Sequence, residues 1–124
     1  MSKHLVRTCL LVATLGSLAA CKSGPDPMIR TNIGAKLDSA KPAITECYQS
    51  SLTTNRKLAG MYVAQMTVDE QGQFTNVSLR RDEPNDPVLR FCVVQTLAKL
   101  RLDKPPGAKI NLESVPIKFE WANP

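Results

Sequence analysis

The stretch MYVAQMTVDEQGQFTNVSL, residues 61–79, has the pattern of a β-hairpin, and the rest of the predicted fold is built around it. Every second residue from Tyr62 to Val68 is apolar or aromatic, which predicts a half-buried strand. Gly72, in the polar segment that follows, can adopt the positive φ of a turn. Phe74 to Leu79 is predicted as the return strand. Because Phe74 is out of phase with the apolar positions after it, we expect a bulge near the turn.

A helix over residues 39–53 is predicted before the hairpin. With Ser39 as the N-cap, Pro42 falls in the first turn, where its missing N–H costs little. The residues before Ser39 can form a separate short turn or helix. Apolar positions recur at steps of three and four, which predicts one buried stripe: Ala40, Ile44, Cys47, Tyr48 and Leu52.

A second helix is predicted after the hairpin. Asp86 is a suitable N-cap and Pro87 a suitable first helical residue. The segment Pro105-Pro106-Gly107 bars continuation of the helix. The predicted apolar stripe consists of Leu89, Cys92, Val93, Leu97 and Leu100.

A last strand is predicted over residues 109–121. Large apolar residues alternate strictly with Pro116, Lys118 and Glu120 from Val115 to Trp121. Ile110 and Leu112 are in the opposite phase, so we expect the strand to bulge or bend near Ser114.

These elements predict one small α+β domain in the order α-β-β-α-β, with a three-stranded antiparallel sheet and two helices on one face. A hairpin followed by a crossover helix gives the strand order 2-1-3, which leaves residues 115–121 at an edge. Pro116 favours this position because a residue without an N–H is tolerated at a sheet edge. The charged side chains of Lys118 and Glu120 are suited to preventing aggregation through that edge. The same edge is the natural place for a partner strand to bind.

The first twenty residues have the layout of a secretory signal peptide. Lys3 and Arg7 precede an uncharged run, Thr8 to Ala20, that is shorter than the roughly twenty residues of a membrane-spanning helix. Leu18-Ala19-Ala20-Cys21 resembles the lipobox of bacterial lipoproteins, which predicts a lipid on Cys21. A chance cysteine after an ordinary secretory cleavage site is the alternative.

The chain is therefore predicted to have three parts. Residues 1–20 are the signal peptide, residues 21–36 the lipidated N-terminus and linker, and residues 37–124 the folded domain. Several acyl chains on Cys21 would give stable membrane anchoring, with the domain facing the periplasm. Lys22 stands where an Asp would resemble an inner-membrane retention signal, which favours the outer membrane.

Charge and histidine content argue against several function classes. Loss of Lys3 and Arg7 with the signal would reduce the net charge from +5 to +3, and the remaining charges of both signs are interspersed. A nucleic-acid binder is expected to show a basic stripe. The only histidine, His4, lies in the signal, so the domain has no imidazole for a triad or a typical zinc site. We therefore expect no nucleic-acid partner, metal, cofactor or catalytic residues.

Cys47 and Cys92 are the pair that remains when Cys9 leaves with the signal and Cys21 is lipidated. An even pair in an oxidising compartment favours a disulfide. Both cysteines follow an apolar stripe residue by three positions, so both are predicted to point inward from their helices. Two separate buried thiols are the alternative.

The order of elements and several motifs resemble the TonB-like C-terminal domains, and within them the AgmX/PglI-type domain of proteobacterial gliding-motility and envelope proteins. The resemblance covers roughly residues 37–121. It implies a protein-binding surface, since TonB-like domains bind an extended peptide at a sheet edge. The matching residues are Cys47-Tyr48, Gly72, Cys92, Pro106-Gly107 and Pro116 to Phe119.

The preferred hypothesis is a lipid-anchored, non-catalytic module that binds another envelope protein in an envelope, motility or transport complex. Its edge-strand residues would be Pro116, Lys118 and Glu120. A purely structural lipoprotein and a periplasmic enzyme acting on cell-wall or lipid material are the alternatives.

Overall fold

The predicted hairpin forms the centre of the fold. The computed structural model describes residues 27–120. The helices are α1 (Ile29–Ser39), α2 (Lys41–Leu52) and α3 (Pro87–Ala98). The strands are β1 (Gly60–Val68), β2 (Phe74–Asp82) and β3 (Ile110–Phe119).

The three strands form one antiparallel sheet in the order β2-β1-β3. β1 is central because it pairs with its hairpin partner on one side and with the crossover strand on the other. The predicted α+β class, strand order and edge position of β3 are therefore confirmed. The helix α1 is an addition to the predicted order.

The core lies between the helices and one face of the sheet. On β1, Tyr62, Ala64 and Val68 are fully buried, whereas Gln65 on the opposite face is exposed. This is the alternation that the sequence predicts for a strand with one buried face. Phe74 of β2 is buried on the same side, and the helix α3 contributes three further fully or almost fully buried side chains, Leu89, Val93 and Leu97.

The hairpin turn depends on one aspartate and one glycine. Asp69 Oδ1 accepts hydrogen bonds from the backbone N–H groups of Gln71, at 3.0 Å, and Gln73, at 2.9 Å. Gly72 has the predicted positive φ, at 89°. A Cβ at this position would lie 3.0 Å from Leu102 Cβ, so both backbone conformation and space favour glycine.

Both expected irregularities in the strands are present. The β1–β2 register shifts between Gln65 and Thr67, beside Asn76 of β2, whose φ is 53°. The β1–β3 register shifts between Val115 and Leu112, which brackets the expected bend near Ser114. Each shift lets a strand change phase while its apolar side chains remain on the core side.

The helix α1 begins inside the range predicted as a linker, so the linker boundary at residue 36 is corrected. Ile29 and Ile33 are only 5% and 3% exposed and belong to the hydrophobic core. They lie four residues apart on one helix face, and Leu37 continues that face. The folded part therefore extends back at least to Ile29. The predicted signal peptide and Cys21 lie outside the described residues.

The prediction that Ser39 caps the main helix is wrong. Ser39 is the last residue of α1, and its Oγ donates a 2.5 Å hydrogen bond to the carbonyl of Lys36. Ala40, with helical φ and ψ, is the N-cap of α2. Because Ser39 is itself a helical residue of α1 and stands one position before the N-cap, its side chain turns back along α1 and does not cap α2. Pro42 does fall in the first turn, as predicted.

The hydrogen bonding of the first turn confirms the predicted start of α3. Asp86 has extended backbone angles, and its Oδ1 accepts a 2.8 Å hydrogen bond from the N–H of Leu89. Pro87 occupies the first turn, where its missing donor is not needed.

We expect Asp86→Ala to lower the free energy of unfolding by about 1 kcal/mol, because it leaves a helix N–H without its acceptor. Asp86→Asn is the matched control, since an asparagine oxygen can accept the same hydrogen bond. Urea unfolding of the two variants checks the prediction. Equal stabilities for the alanine and asparagine variants would contradict the capping role.

Candidate functional site

The edge strand β3 brings together the residues that the sequence suggests for partner binding. Pro116 and Lys118 lie on β3 with exposed side chains, and exposed Glu120 follows the strand directly. In the β1–β3 pair, Pro116 lies opposite Val63 and Lys118 lies opposite Met61. Among residues 27–120, no strand pairs with the outer side of β3. The predicted end of the strand at residue 121 lies outside the described residues.

Backbone alternation identifies which N–H groups of β3 face outward. Successive residues of an antiparallel strand direct their N–H and C=O groups to opposite sides. Pro116 has no N–H to donate to β1, so position 116 suits a residue whose backbone groups point away from β1. Lys118 is two residues further on with no register shift between them. The backbone N–H of Lys118 is therefore assigned to the open side of the sheet.

Lys118 and Glu120 neutralise each other on this edge. Lys118 Nζ lies 2.5 Å from Glu120 Oε1, and both side chains are largely exposed. The hydrogen bond with Glu120, followed by the attraction of its charge, raises the pKa of Lys118. The edge thus carries one opposite-charge pair and no net charge from these two residues.

An apolar groove of about 590 Å³ runs beside β3, between the strand and the helices α1 and α2. Its strand side includes Val115 and Ile117, which are only partly buried. Its helix side includes Gly34 and Leu37 from α1 and Ile44 from α2. The helices therefore leave the apolar face of the edge strand accessible from the side.

Two aromatic rings at the groove are held rigidly. The Tyr48 and Phe119 ring centroids are 4.8 Å apart, and Phe119 also meets Tyr62 edge-on at 5.4 Å. Tyr48 Oη donates a 2.5 Å hydrogen bond to the carbonyl of Leu58. Burial raises the pKa of Tyr48, which keeps the phenol protonated as that donor. The aromatic side of the groove is therefore fixed before any ligand arrives.

The rim of the groove carries a second opposite-charge pair. Asp38, near the end of α1, lies 3.0 Å from Lys41 at the start of α2. Both residues line the groove, as do Lys118 and Glu120. All four charges on the rim therefore have a partner of opposite sign.

The predicted disulfide is present and fixes one wall of the groove. Cys47 of α2 and Cys92 of α3 are bonded, with their Cα atoms 5.8 Å apart. The bond joins the two helices side by side, as their inward-pointing cysteines suggested. Because α2 also supplies groove residues, the bond restrains the position of that wall.

Asp69 and Asp82, each followed by a glutamate in the sequence, have structural partners. Asp69 holds the hairpin turn, as described above. Asp82 accepts hydrogen bonds from Arg90 Nε, at 2.6 Å, and from the N–H of Asn85, at 2.8 Å. Neither aspartate points into the groove beside β3.

The described residues, 27–120, show neither a metal-ligand cluster nor a membrane-spanning helix. No group of three or more histidine, cysteine or acidic side chains is placed to hold a metal ion in this part of the chain. None of the helices described there is long and apolar enough to cross a bilayer.

The sequence indicates the edge residues but not the groove. Gly34 falls in the range predicted as linker, and the stripe containing Ile44 predicts only burial. The one available signal is the spacing of Ile33 and Leu37, which is compatible with a short helix. Comparisons of the chain with family models, with curated proteins and with solved structures give no match.

Proposed function

We propose that the protein is a lipid-anchored envelope protein that binds a partner protein through the edge strand β3. The observation that carries the proposal is a sheet edge, at β3, that no other strand within residues 27–120 pairs with, beside an open apolar groove. A partner segment in extended conformation could add a strand there through backbone hydrogen bonds, and its side chains could enter the groove.

The sequence supports the same proposal from two other directions. The resemblance to TonB-like C-terminal domains, of the AgmX/PglI type, implies recognition of extended peptides. The lipobox-like segment that ends at Cys21 implies an anchor in the bacterial envelope, with the outer membrane favoured. Together they suggest a binding module held close to the membrane, in an envelope, motility or transport complex.

Lys118→Pro is expected to weaken partner capture strongly. The substitution removes a backbone N–H that is assigned to the open side of β3, next to the position where Pro116 has already removed one. Site-specific crosslinking in the native host, followed by mass spectrometry, measures the capture.

Lys118→Ala is the matched control for this variant. It removes the same ammonium group but keeps the backbone N–H, so it should retain capture. Formation of the Cys47–Cys92 bond and an unchanged near-ultraviolet circular dichroism spectrum verify folding. If a folded Lys118→Pro variant captures the partner as well as wild type does, the binding surface lies elsewhere.

A further inference from the structure

A glycine in the middle of α1 has no packing reason to be there. Gly34 is exposed, and a Cβ built on it meets no other atom within 4 Å. Glycine is the least favourable residue in a helix interior apart from proline. Alanine would therefore fit the backbone and favour the helix, so neither packing nor helix formation explains the glycine.

The position of Gly34 suggests another reason. Gly34, Leu37, Asp38 and Lys41 all line the groove beside β3. Their spacing of three and four residues places them on one face of α1 and its continuation. Any side chain at position 34 would extend from that face into the open space of the groove.

We propose that Gly34 keeps the groove open for a bulky apolar side chain of the bound partner strand. This inference rests on the function proposed above and adds the chemistry of the partner. Every second side chain of an added strand points to the same face of the sheet. On the helix side, those side chains lie over the groove, beside Val115 and Ile117.

The charges of the rim define the partner further. Asp38 is paired with Lys41, and Lys118 with Glu120, so no unpaired charge of these four selects a charged ligand. The partner segment is an extended peptide with bulky apolar residues at alternate positions and uncharged polar residues between them. Its affinity depends on buried apolar area, so it changes little with salt concentration.

A synthetic peptide that alternates threonine with valine or isoleucine over about seven residues is the probe. The full chain is placed in lipid nanodiscs, with empty nanodiscs as the blank, and binding is measured by isothermal titration calorimetry. Wild type is expected to bind with a dissociation constant of about 1 mM or lower. A peptide of the same composition with its apolar residues in one block is expected to bind at least about tenfold more weakly.

Gly34→Leu is the decisive variant. Leucine fills the groove, so binding of the alternating peptide should weaken at least about tenfold, while the melting temperature stays equal or rises. Ala35→Leu adds the same side chain at an exposed position of α1 that does not line the groove, and it should bind as wild type does.

Several results would overturn the inference. One is that wild type does not bind the alternating peptide. Another is that wild type binds the peptide with its apolar residues in one block equally well. The third is that Gly34→Leu binds the alternating peptide as tightly as wild type does. A wild-type dimer that becomes monomeric in Gly34→Leu would assign the groove to a second copy of the chain instead.

The failure of this inference can be separated from failure of the proposed function. If Lys118→Pro loses partner capture in the host while Gly34→Leu captures the partner normally, the edge strand remains the binding site. The groove is then not part of that site. If Lys118→Pro captures the partner as wild type does, the edge strand itself is not the binding site.

Discussion

Replacing both Cys47 and Cys92 by alanine is expected to lower the free energy of unfolding by about 4 kcal/mol. The bond joins residues 45 positions apart, so it removes much of the chain entropy of the unfolded state. A domain of this size has a total stability on the order of 5–15 kcal/mol. The double variant should therefore unfold at a much lower urea concentration, and this is the measurement.

Reduction of the wild-type protein is the control for this prediction. Wild type treated with dithiothreitol should approach the stability of the double alanine variant, because both lack the crosslink. Urea curves for the oxidised protein and the double variant that differ by less than about 1 kcal/mol would contradict the account.

Cys21→Ser is expected to abolish lipid labelling and to leave an unprocessed precursor. Under the lipoprotein prediction, the serine hydroxyl replaces the sulfur that would take the lipid, and cleavage of the segment before it would require that cysteine. Metabolic labelling with a radioactive fatty acid, together with the gel mobility of the chain, measures both effects.

Cys9→Ser is the matched control for the lipidation test. Cys9 lies in the same predicted signal but not at its end, so its replacement should leave labelling unchanged. A Cys21→Ser protein that is cleaved normally and still fractionates with the membrane would contradict the lipoprotein prediction.

The elements that the sequence predicts well are those with strong local signals. Gly72 and the alternating residues of β1 specify the hairpin through turn chemistry and side-chain period. Asp86 and Pro87 specify the start of α3 through capping. In each case the residues that determine the element are neighbours in the chain, so the sequence contains the needed information.

The helix α1 is harder to predict because its signals are sparse and mixed. Pro27 lies just upstream, and Gly34 interrupts the helical pattern. Ser39 has the chemistry of an N-cap, but its hydroxyl instead bonds to the carbonyl of Lys36. A serine hydroxyl can accept a hydrogen bond as an N-cap or donate one back to the preceding turn, and the local sequence does not decide which role Ser39 takes.

The groove could not be predicted from the sequence because tertiary packing creates it. Its walls come chiefly from α1, α2 and β3, with Leu97 of α3, and the whole hairpin lies between the first two helices and the other elements in the chain. Their apolar residues have the spacing of ordinary core positions. That Val115 and Ile117 stay only partly buried depends on how far the helices reach across the sheet.

Photocrosslinking from the two edges of the sheet tests the central proposal most directly. A photoreactive amino acid is placed at position 118 on β3, or at position 78 on β2, in the full chain in the native host. Lys118 and Ser78 are both exposed and lie on opposite edge strands, so the second position is a matched control. A crosslink to one envelope protein is expected from position 118, and none to that protein from position 78. Equal crosslinking from both edges, or none from position 118, would contradict the proposal.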